Sequence, residues 1–94
     1  MIIGVVRIRL HLPGCRSLKE KRRHLGTIKA RLAEAFNVSV AEVEDQDKWQ
    51  SCVLAVAHVG LSRPVVDSLL AKAVNNVEAY HDAQLLDYET ELIT

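Results

Sequence analysis

The sequence predicts an α+β domain whose elements follow the order β-α-β-β-α-β. Three observations carry this. Apolar residues alternate over residues 2–12 and again over 84–93, as in strands with one buried face. Residues 18–36 and 62–80 instead repeat apolar side chains at helical spacing. Between these helical stretches lie two strand-like segments joined by a short polar connection. Ninety-four residues suffice for one core and are too few for two, so residues 1–94 form a single domain.

In the first segment Ile2, Val6, Ile8, Leu10 and Leu12 face one way, and Ile3, Val5, Arg7, Arg9 and His11 the other. Pro13-Gly14 ends it as a turn. Ser17 with Glu20 three residues on is a capping box: the Ser side chain takes a free N–H of the first turn and Glu20 reaches back to the cap. A helix therefore starts at Leu18, with Leu18, Leu25, Ile28, Leu32, Ala35 and Phe36 as its apolar stripe and Asn37 as a left-handed cap. Val38 to Glu44 reads as an edge strand whose acids Glu42 and Glu44 discourage further pairing, and Asp45 to Gln50 as a hairpin connection.

Ser51 to Leu61 is apolar on both faces, as a central strand covered on both sides would be, and His58 within it reads as a satisfied core residue. Ser62 caps a second helix with Pro64 in its first turn and a stripe of Val66, Leu69, Leu70, Ala73, Val77 and Tyr80. The closing segment, Gln84 to Ile93, sets Leu86, Tyr88 and Leu92 against Asp87, Glu89 and Glu91. The resulting architecture is ferredoxin-like, a four-stranded antiparallel sheet with two helices on one face. The first and third strands are expected at its centre and parallel to each other, with the fourth antiparallel beside the first. Arg7 and Arg9 then lie across from Asp87, Glu89 and Glu91 as structural cross-strand pairs.

A hydrophobic share of 49% with 26% charged residues describes a folded chain rather than a disordered one. Cys15 and Cys52 show neither metal-ligand spacing nor a disulfide framework, which suits the reducing cytoplasm. The opening strand carries Arg7 and Arg9 and no small-residue cleavage site, so it is not a signal peptide. No apolar run approaches the ~18 residues that read as a membrane span. A formal net charge of zero hides a division. Residues 1–31 hold nine bases against one acid, and the other 63 residues hold three bases against eleven acids.

The stretch Pro13–Arg23, PGCRSLKEKRR, concentrates that division. Lys19, Lys21, Arg22 and Arg23 crowd a helix start whose dipole is already positive, where each exposed cation is unfavourable by about 0.3–1 kcal/mol. A breach of a local rule is expected at a functional site, and here it points to an anion: free N–H groups and bases together face a phosphate. Lys21 falls beneath Leu25, so its stem is expected to pack. The anion-facing set is Lys19, Arg22, Arg23 and Lys29. The competing reading is a solvated face whose cations pair with acids elsewhere in the fold.

Trp49 has two readings, an anchor for a partner and a lid over one end of the core. The open sheet face has no aromatic residue on which an RNA base could stack; its Val53, Ala55 and Ala57 suit self-association better. The four histidines lack ligand spacing, and neither a metal nor a cofactor is expected. Cys15, next to Arg16 and just before a helix N-terminus, is placed for a lowered thiol pKa but has no base partner. With no phosphate-cradling glycine loop and no nucleophile motif, an enzyme is not expected.

At SLKEKRR (residues 17–23), and again at FNVSVAEVEDQDKWQ (residues 36–50), the chain resembles the YlxP-like family, small bacterial proteins described as a domain of unknown function. The match spans nearly the whole chain, including the PG turn and the apolar third strand. The resemblance implies a ferredoxin-like fold and genes that often lie among translation genes, near that of ribosome-binding factor A. It carries no activity and no site residues. The expectation is a non-enzymatic RNA- or ribosome-associated accessory protein whose partner is ribosomal RNA or a ribosomal protein. The alternative is a homo-oligomeric or protein-binding module that uses the open sheet face and Trp49, without nucleic acid or membrane.

Overall fold

The computed structural model describes all residues, Met1–Thr94. Strand β1 (Ile2–His11) leads into helix α1 (Leu18–Ala35), the hairpin β2 (Ser39–Glu44) and β3 (Ser51–Gly60), helix α2 (Arg63–Glu78) and strand β4 (Gln84–Ile93). The sheet order is β2-β3-β1-β4, with every neighbouring pair antiparallel. The fold is thus the ferredoxin-like α+β arrangement expected. The central pair corrects one expectation, because β1 and β3 run antiparallel. The helical crossover brings β2 back in the direction of β1, and the hairpin then reverses the chain once more.

Val6, Ile8 and Leu10 of β1, with Leu12 just beyond its end, pack with Cys52, Leu54 and Val56 of β3 under the two helices. Leu25, Ile28 and Leu32 come from α1, and Val66, Leu70, Ala73, Val74 and Val77 from α2. Glycine permits the closest helix-to-sheet approach. A Cβ at Gly4 would lie 2.5 Å from Val66 Cγ1 and 2.7 Å from Leu70 Cδ1, and one at Gly60 would lie 2.7 Å from Val66 Cγ2. Ser17 caps α1 as expected, its Oγ accepting from Glu20 N–H at 3.1 Å. The return bond differs by one residue, since Glu20 Oε2 accepts from Arg16 N–H at 2.8 Å.

Asn37 is not a left-handed cap. The helix ends on an extended Phe36, and Asp45 is the one non-glycine residue with positive φ, in the hairpin turn. Ser62 stands at the start of α2 but makes no side-chain capping bond. Both edge strands contain an irregularity that a strict period of two cannot express. In β2, Glu42 faces Leu54 while Glu44 faces Val53, so a bulge at Val43 sends the two glutamates to opposite faces. In β4, Leu85 pairs with Leu10 and Asp87 with Arg9, which leaves Leu86 as the extra, exposed residue and puts Leu85 against the core.

Candidate functional site

Helix α1 carries six basic residues, and its geometry sorts them. At about 100° per residue, Lys21 falls in line with Leu25, Ile28 and Leu32 on the buried stripe. It is 1% exposed. Its ammonium donates to the carbonyls of Asp45 (2.6 Å) and Lys48 (2.7 Å) and lies 2.6 Å from Glu42 Oε2. The last contact is an ion pair outside hydrogen-bond geometry, leaving the buried Glu42 Oε2 without a donor. A lysine stem threaded through the core thus fastens the β2–β3 turn from below. The bulge at Val43 is what aims Glu42 inward to meet it.

The remaining bases of the helix stay free. Lys19, Arg22, Arg23 and Arg31 are exposed and Lys29 is half-buried, and none makes an ion pair. The expected internal pairing of this face therefore holds for Lys21 alone. The same helical step divides the anion-facing set. Arg22 and Lys29 share the flank toward β2, and Lys19 lies on the crest with Gly26 and Ala30. Arg23 falls on the α2 side with Arg31, whose guanidinium sits 5.7 Å over the Tyr80 ring. Sequence reasoning placed Lys19, Arg22, Arg23 and Lys29 together; the structure leaves them on one helix surface with two flanks.

The hairpin held by Lys21 presents Trp49, which is 53% exposed and absent from the core cluster. The lid reading is therefore corrected. The reason is local: the buried Lys21 side chain reaches the turn from the core side, its ammonium bonded to the Asp45 and Lys48 carbonyls. On the open sheet face Ala55 and Ala57 are half-buried and Val59 is exposed, whereas Val53 is only 3% exposed. Val53 forms the floor of a hollow walled by Arg7, Arg9, Glu44, Asp87 and Glu89. Arg9 pairs with Asp87 at 3.5 Å, as the strand register predicts. Arg7 instead pairs with Glu44 on β2, which the bulge sets level with Val53, a partner visible only once the bulge is known.

Cys15 is buried rather than poised on the surface. Desolvation, with Glu20 adding to it, pushes its thiol upward, and Arg23 and Lys21 do not reverse the shift. This overturns the expected lowering. His58 Nδ1–H donates to the Asn37 carbonyl at 2.7 Å, and His11 Nδ1–H to the Gln50 carbonyl at 3.0 Å, since a carbonyl can only accept. Gln50 Nε2 in turn donates to the carbonyls of Pro13 and Cys15, tying the PG turn to the start of β3. No helix is long and apolar enough to cross a membrane.

Sheet order, helix placement and a free basic helix surface define a ferredoxin-like α+β domain with one polar, cationic face. The chain belongs to the family described as "Protein of unknown function (DUF503)", whose model matches residues 3–90. It is similar to "Uncharacterized protein YlxP" of Bacillus subtilis (strain 168), 33% identical over 75 residues that make up 80% of this chain and 82% of that one. Among solved structures it is similar to the de novo designed protein Foldit4 (TM-score 0.55, 16% identity, 98% and 97% of the two chains). It is also similar to SnoaB, a cofactor-independent oxygenase from Streptomyces nogalater (TM-score 0.54, 18% identity, 99% and 91%). At such identities the structural likeness is one of fold alone.

Proposed function

We propose that this protein is a non-enzymatic, cytoplasmic accessory protein that contacts RNA phosphates through the outward surface of α1, in a ribosome-associated setting. The observation that carries this reading is that Lys19, Arg22, Arg23, Lys29 and Arg31 have no acidic partner, while the one base that points inward is fully engaged. Unpaired like charges along one helix repel one another, and a phosphate backbone relieves that repulsion as its counterions are released. The translation-linked gene setting implied by the family resemblance supports ribosomal RNA, or a ribosomal protein beside it, as the partner. Filter binding to structured RNA over a range of salt tests the reading. Affinity should fall steeply with salt, and Arg22→Ala with Arg23→Ala should lower the log–log slope by about 1.4–1.8, two phosphate contacts' worth. A flat response, unchanged in the double variant, removes the idea.

A second reading has its own observation, an exposed Trp49 on a turn held rigid by Lys21. Here the domain is a protein-binding or self-assembling module that uses Trp49 and the face around Ala55 and Ala57. Light scattering separates the two readings: a strict monomer at high concentration, indifferent to Ala55→Glu, argues against assembly through the sheet.

A further inference from the structure

Where the Pro13–Gly14 turn, the first turns of α1 and the α2–β4 connection meet, a cleft of about 310 Å³ opens beside the basic helix surface. Its walls include the polar side chains of Glu20, Arg23, His24, His81 and Asp82. At its mouth the His81 side chain is 89% exposed. The ring lies 6.2 Å from that of Tyr80 at an interplanar angle of 24°. Tyr80 is itself fixed, its hydroxyl hydrogen-bonded to His24 Nδ1 at 2.5 Å with the Arg31 guanidinium over its ring. The cleft thus offers a flat, uncovered ring on a rigid support. Next to it stand the Asp82 carboxylate, 3.8 Å from His81 Nε2, and the unpaired Arg23 guanidinium.

A ligand that uses all three needs a planar face, a hydrogen-bond-donating edge and an anion. An unstacked nucleobase with its phosphate has these: the base stacks on His81, its edge donates to Asp82, and the phosphate meets Arg23. Guanine fits the edge best, because its adjacent N1–H and N2–H groups match the two oxygens of one carboxylate, whereas uracil offers a single donor. The cleft holds one nucleotide and presents only one unpaired guanidinium, too little for a free triphosphate. The other free bases lie outside it along α1, where the neighbouring phosphates of a strand would run. We infer that the protein recognises an unpaired, extruded guanine in a loop or bulge of RNA, held between His81, Asp82 and Arg23. This inference rests on the phosphate-contact reading of α1 and narrows its substrate to non-duplex RNA.

Fluorescence anisotropy at fixed salt tests it with three probes: a hairpin with an unpaired guanine in its loop, the same hairpin with uracil there, and a fully paired duplex of equal length. The guanine loop should bind at least tenfold tighter than the duplex, and tighter than the uracil loop. His81→Ala should weaken loop binding by roughly five- to 150-fold, the range for loss of one stacked base, and leave duplex binding unchanged. Asp82→Asn should erase the preference for guanine. Guanosine monophosphate alone should not compete at micromolar concentration. Both side chains are exposed, so a circular dichroism melt at the wild-type temperature should accompany each variant. Equal binding of all three probes overturns this inference alone, as does wild-type loop affinity in His81→Ala or competition by the free nucleotide. Absence of binding to any RNA overturns the phosphate-contact reading itself.

Discussion

Glu42 and Glu44 stand two positions apart on one strand, each paired with a base from another element, yet the two pairs belong to different environments. Glu42 turns into the core to meet Lys21, whose side chain is 1% exposed, with the carbonyls of Asp45 and Lys48 completing the ammonium's partners. Glu44 turns to the open sheet face to meet Arg7, and the side chains of both residues remain about half exposed. The bulge at Val43 creates the difference. What it teaches is that an ion pair matters to the fold in proportion to what surrounds it. Removing one member of a buried pair strands a charge in low dielectric, whereas an exposed pair is already solvated and screened.

The largest expected effect is at the buried pair. Lys21→Ala leaves Glu42 and two carbonyls without their cation and should lower stability by about 3–5 kcal/mol in urea unfolding. Lys21→Met with Glu42→Leu, which removes both charges together, should recover much of that loss. A cost below ~1 kcal/mol for Lys21→Ala would place this pair in the same class as the exposed one.

Cys52 sharpens the contrast because its thiol reports on the buried pair. Burial first, and the Glu42 charge second, raise it from 9.0 to about 12, while Lys21 opposes the shift. The folded state thus keeps a proton that the unfolded chain gives up. The stability contribution is complete below pH 9 and is lost as pH rises toward about 12, at ~1.4 kcal/mol per pH unit. Urea unfolding at pH 8, 9.5 and 11 should show this decline, and Cys52→Ala should flatten it. Glu42→Gln should bring the upper end of the window down.

The contrast between inside and outside extends to the faces of α1. Gly26 is exposed in mid-helix with nothing within 4 Å of where its Cβ would lie, and its φ is not positive. Gly26→Ala should therefore stabilise by about 0.5–1 kcal/mol, read as a higher urea midpoint. Smallest of all, Arg7→Ala should cost no more than ~1 kcal/mol, and the difference should shrink in 1 M salt. A larger, salt-independent loss would mean that the open face is covered in solution.

Much of the fold was legible because its patterns are local. Alternation at Ile2–Leu12, the Ser17–Glu20 box and the stripe of Leu25, Ile28 and Leu32 each depend on neighbours within a turn or a strand. The candidate site was legible in part: the run at Lys19, Arg22 and Arg23 announced a cationic surface. The partner of Arg7, the inward turn of Glu42, the displacement of Leu86 by Leu85 and the exposure of Trp49 were not. Each depends on a bulge or a long-range contact that leaves no periodic trace. The cleft at His81 was hidden for the same reason, since its walls come from residues about 60 positions apart in the chain.

By itself the sequence determined the order of elements, the single core and the concentration of positive charge on the first helix, because hydrophobic period, caps and charge are properties of adjacent residues. Tertiary structure alone decided which of those charges are used up. Lys21 and Arg22 are neighbours in the chain and chemically alike. One is consumed by the hairpin that the helix packs against, and the other is left to the solvent, because a step of about 100° around the helix axis separates core from water.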